Sequence, residues 1–143
     1  MKTLMRQCIV SVASLFCISS VFAHDHECSL ETLDGLYVFN ATGYSLIGGV
    51  WQPKAIVEYI RFNGDGTATA ESATVANRAG DGAITRSTGT PATYTLDVDC
   101  KGSLQFDHGP AFDIFTTARG PQLQMIQTNP NNVLQGNVRK VSR

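Results

Sequence analysis

The chain has 143 residues, 43% of them hydrophobic, with 11 basic and 12 acidic side chains and a formal net charge of −1. A charge so evenly balanced, with no basic cluster, argues against nucleic acid as a partner. The length suits one compact domain with a single core rather than two.

Residues 1–23 read as a secretory signal. Lys2 and Arg6 form a basic n-region, residues 8–21 an uncharged apolar h-region, and Val21-Phe22-Ala23 offers a cleavage site. The apolar run is shorter than the roughly 20 residues that cross a bilayer, so no stable membrane anchor is expected. Phe16 also stands where a lipid-attachment box needs a small residue before Cys17. Cleavage after Ala23 would leave residues 24–143 as one exported domain, periplasmic or secreted. Loss of Lys2 and Arg6 takes the 11 basic side chains to 9 against 12 acidic, a net charge of −3.

The mature chain would begin His24-Asp25-His26. A free α-amine, two deprotonated amides and the imidazole of the third residue can surround Cu(II) or Ni(II) in a square plane, which makes His24 and His26 candidate metal ligands. No other cofactor motif is present. Cys8 and Cys17 leave with the signal, and an exported pair formed by Cys28 and Cys100 is most simply a disulfide.

Residues 36–40 read as a first strand entered through Asp34-Gly35. Residues 42–53 carry three glycines with Tyr44, Leu46, Ile47, Val50 and Trp51. So apolar a stretch is expected to be a loop folded over one end of the domain, as a lid over a ligand or a plug. Residues 54–62 form the clearest strand, with Ile56, Glu58, Ile60 and Phe62 on one face, and Asn63-Gly64-Asp65-Gly66 supplies a tight hairpin turn. Residues 67–76 return, and 77–82 turn again. A fourth strand starts at 83–87 and is interrupted at Gly89-Thr90-Pro91, because proline cannot donate to a ladder. Beyond the break Tyr94, Leu96 and Val98 alternate with polar residues.

Four more strands complete the chain, at 103–107, 111–117, 122–128 and 133–140, with turns at Asp107-His108-Gly109-Pro110, Arg119-Gly120-Pro121 and Asn129-Pro130-Asn131-Asn132. Eight antiparallel strands in sequence order predict an all-β, up-and-down barrel of the calycin or lipocalin type, which leaves no exposed edges. A β-sandwich has the same signature and is the alternative.

Four stretches carry a family likeness: Asp34-Gly-Leu-Tyr-Val-Phe39, Ile60-Arg-Phe-Asn-Gly-Asp-Gly66, the run from Tyr94 through Cys100 to Leu104, and the run from Gln124 through Asn129 to Gly136. Together they resemble the small exported bacterial proteins of the allene oxide cyclase barrel-like, broadly lipocalin-like group. The resemblance implies an eight-stranded barrel with an interior cavity, in a group where some members cyclise or isomerise small organic molecules. It carries over no catalytic residue.

A barrel of this size holds either packed side chains or one small ligand. The expected partner is a small apolar molecule, and the resemblance implies that a cyclase or isomerase acting without a cofactor could turn it over. Glu58 is the candidate catalytic group, because a carboxyl buried beside Ile56 and Ile60 would have its pKa raised, as a general acid or base requires. The competing arrangements are a neighbouring base that neutralises it, or a position at the rim. Tyr37, Tyr59, Trp51, Gln127 and Gln135 are candidate ligand contacts on the wall or lid. Asp113 could face either way. His108 stands alone in its turn and no G-x-S-x-G elbow exists to meet it, which argues against a Ser/His/Asp hydrolase. The alternative is a secreted interaction or structural protein that uses the Tyr44 to Trp51 stretch as its contact surface.

Overall fold

The computed structural model describes residues 27–77 and 83–142. The expected signal segment and the His24/His26 pair lie outside the described residues. Within them a single 3-10 turn, Leu30–Thr32, precedes nine strand segments. These are β1 (Asp34–Ile47), β2 (Val50–Asn63), β3 (Thr67–Asn77), β4 (Ile84–Ser87), β5 (Thr90–Leu96), β6 (Lys101–Phe106), β7 (Ala111–Thr116), β8 (Gln122–Gln127) and β9 (Asn132–Ser142).

Every pairing is antiparallel, and β2 meets both β1 and β3 while β1 also meets β9, so the sheet closes on itself. β4 and β5 are two pieces of one stave. Both pair with β3, β4 through residues 73–76 and β5 through 67–70. The break falls at Gly89, which adopts φ 67°, beside Pro91. Counted by staves the architecture is an eight-stranded up-and-down barrel, and the sandwich alternative is excluded by closure.

The expected loop at 42–53 is a correction. Those residues continue β1 and β2 as a long hairpin whose turn is only Gly48-Gly49, at φ 57° and 79°. Two consecutive positive φ values match the twist of the flanking strands, and glycine reaches them without a Cβ clash. Pro53 is tolerated because it stands opposite Tyr44 in a pair that exchanges no ladder bonds, and β3 reaches β2 only from Lys54 onward.

The plug is at the other end of the barrel. Leu33 is completely buried, Leu30 packs against the core, and the Tyr94 hydroxyl donates to the Leu30 carbonyl at 2.8 Å. The Cys28–Cys100 disulfide, spanning 72 residues, pins this arm to the turn before β6, and Cys28 N–H donates to Val98 O at 3.1 Å. Above the arm the interior is filled by rings in edge-to-face contact. Phe62 lies between Tyr37 and Tyr94, at 5.3 and 5.1 Å between centroids, and Phe112 lies between Phe39 and Phe106, at 5.5 and 6.3 Å. Each buried phenylalanine contributes about 1.5–3 kcal/mol, so this lower core supplies a large share of the stability. Ala68, Ala70 and Ala92 face the rings and leave them room.

Candidate functional site

Strand alternation sets the contents of the upper barrel. On β2, Lys54, Ile56, Glu58, Ile60 and Phe62 point inward, and Val57, Tyr59 and Arg61 point outward. Glu58 is 8% exposed and stands opposite Phe39 on β1 and Ala73 on β3. It lines an interior cavity of about 110 Å³ together with Ile56, Ala73, Val75, Phe106 and Phe112, whose mouth lies between Ser87 at the end of β4 and the Gly109-Pro110 turn. Burial raises the Glu58 carboxyl from 4.5 to about 7, and burial is the only cause. Among the described residues no basic side chain forms an ion pair with it.

A polar tier lies nearer the hairpin end of the barrel. Lys54 Nζ donates to Gln127 Oε1 at 3.5 Å and to Asn132 Oδ1 at 3.4 Å. The Ser45 hydroxyl donates to the same Asn132 oxygen at 2.7 Å, and Gln127 Nε2 donates to Asn129 Oδ1 at 3.2 Å. Partial burial lowers the Lys54 ammonium from its ordinary value. Asn77 Oδ1 is buried without a hydrogen-bond partner among the described residues. The upper interior therefore holds a buried acid and, separately, an amide-rich collar.

The proposed contacts divide by strand parity. Gln127 is inside, 8% exposed, as part of the collar. Tyr37 is inside but at the plugged end, where its hydroxyl donates to Gly120 O at 2.8 Å and burial pushes its pKa up to about 12. It is a core hydrogen-bonding group remote from the cavity. Tyr59 and Gln135 are corrections: each neighbours an inward residue, Glu58 and Leu134, and so faces the outside. Trp51, 49% exposed, sits on the outer hairpin and not over the cavity. Asp113 faces outward beside Phe112, and His108 occupies an exposed turn at φ 51°. Lys54, Ser45, Asn132 and the mouth between β4 and the 107–110 turn had not been singled out. Lys54 was within reach of the sequence, since it lies four residues from Glu58 on the same strand face.

Among the described residues no group of three or more His, Cys, Asp and Glu side chains could hold a metal ion, and no helix is long and apolar enough to cross a membrane. No family model, curated protein or solved structure matches the chain. The barrel is compatible with the lipocalin-like reading; kinship with allene oxide cyclases has no support from these comparisons.

Proposed function

We propose that this chain is an exported ligand-binding barrel in which Glu58 receives the amine or hydroxyl end of a small, otherwise apolar molecule. The observation that carries the reading is a carboxyl at the wall of an apolar cavity with no ion-pair partner among the described residues. An unpaired buried carboxyl costs stability, and such groups cluster at sites where a ligand or reaction uses them. The volume of about 110 Å³ is room for roughly three or four waters. It is well below the roughly 300–1,000 Å³ that drug-sized ligands occupy, so a larger ligand would insert one end only. With a pKa of about 7 the carboxyl populates both protonation states at neutral pH, as a cofactor-independent isomerase or cyclase would require of its acid–base group.

The disulfide and the signal-like N-terminus support export. Cu(II) or Ni(II) binding by His24 and His26 is a separate proposal that depends on cleavage after Ala23. The test of the pocket is titration of the folded protein with n-butylamine, following the Glu58 carboxyl by carbon NMR. Amine binding should lower the Glu58 pKa from about 7, and Glu58→Gln should abolish binding. A Glu58 that titrates near 4.5 and ignores the amine would refute the reading.

A second reading rests on the hairpin. Its outer face forms a shallow, mainly apolar groove of about 640 Å³ with Tyr44, Pro53, Ala55, Ala76 and Ile84, next to exposed Trp51. That face supports a non-enzymatic interaction role, with the hairpin and not a loop as its contact surface.

A further inference from the structure

The split stave leaves an unpaired sheet edge beside the Glu58 cavity. β5 bonds to β3 on one side and β6 on the other, whereas β4 bonds only to β3 among the described residues. The register identifies the free groups. Asn77 N–H donates to Ala83 O at 3.2 Å, so 77 and 83 form a hydrogen-bonded pair, and Val75/Thr85 and Ala73/Ser87 are pairs of the same kind. The N–H and C=O of Ile84 and Arg86 therefore point away from β3.

Across the opening most of the turn's N–H groups are already engaged. Asp107 N–H donates to Pro91 O, Gly109 N–H to Phe106 O, and Ala111 N–H to Asn129 Oδ1. It makes no hydrogen bond to β4, and all four β4 residues are exposed. On this short edge Ser87 faces inward at the cavity mouth, and Ile84 and Arg86 present their side chains outward.

We propose that an extended polypeptide segment carrying a lysine adds to the free edge of β4, pairing with Ile84 and Arg86, and places that lysine in the Glu58 cavity. The inference rests on the pocket reading above and names its partner. Residues opposite one another in a ladder share a face, so the segment's residue opposite Ser87 is directed inward. Ile56, Val75 and Phe112 suit the methylenes of a lysine, and the Glu58 carboxylate suits its ammonium. Backbone bonds to the edge supply affinity and the cavity supplies specificity, as in other strand-addition modes.

The test is an NMR titration of the isotope-labelled protein with the amide-capped peptide Thr-Val-Lys-Val-Thr-Val, beside the same peptide with norleucine for lysine and one with backbone N-methyl groups. The lysine peptide should shift the Ile84 and Arg86 amides, and both altered peptides should bind about tenfold or more weakly. Arg86→Pro, which removes an N–H that β3 does not use, should weaken the lysine peptide likewise. Butylamine binding with no peptide response at residues 84–87 would overturn this inference and leave the pocket standing. No response to either probe would overturn both, and equal binding of the norleucine peptide would overturn the lysine assignment.

Discussion

Replacing Glu58 by glutamine should change how stability depends on pH, with a sign set by burial. The unfolded chain releases this proton near 4.5 and the folded barrel holds it to about 7. Between these values the native state binds more protons than the unfolded state, so stability falls as pH rises. The contribution is complete below 4.5 and is lost as pH rises through 7. At about 1.4 kcal/mol per unit, the whole shift corresponds to about 3 kcal/mol. Glutamine keeps the shape without the ionisation. Urea unfolding of both proteins between about pH 4 and pH 8 gives the difference in stability at each pH, in which groups common to both cancel. The difference should move by about 3 kcal/mol in favour of Glu58→Gln from the acidic to the alkaline end. A difference that stays flat across this range would show that Glu58 is solvated or paired, and the burial argument would fail.

Tyr37→Phe strands the Gly120 carbonyl in the plugged end and should cost about 1–2 kcal/mol in urea unfolding. Replacing Cys28 and Cys100 together by serine should cost about 4 kcal/mol, and mass spectrometry of the protein with and without reductant should find neither cysteine as a free thiol before reduction. Gly43→Ala drives a Cβ into the Val133 carbonyl oxygen, and the strain should lower stability by about 1–3 kcal/mol, read from the thermal midpoint. A synthetic peptide that begins at His24 should bind one Cu(II) in a square plane, His26→Ala should abolish the band, and a mature N-terminus other than His24 would end that proposal.

Local pattern determined much of this molecule. Alternation along 54–62 placed Ile56, Glu58, Ile60 and Phe62 on one face, and that face is the interior. The break at Gly89-Thr90-Pro91 is where the fourth stave divides, and the cysteine pair is joined. Parity alone also separates Tyr59 from Glu58 and Gln135 from Leu134, so those two outward placements were legible too. The stretch at 42–53 misled because glycine-rich, apolar sequence is common to a lid and to a strand pair turned by Gly48-Gly49, and only pairing with β9 distinguishes them. Which end is plugged, and by Leu30 and Leu33, depends on contacts with Tyr94 some sixty residues away. The small cavity is likewise non-local. It is the volume left when rings from β1, β6 and β7 meet alanines on β3, and when β4 outreaches β6 and leaves a gap in the wall. Strand periodicity specifies which side a residue faces, but the space in front of it is set by the lengths and side-chain volumes of strands distant in the chain.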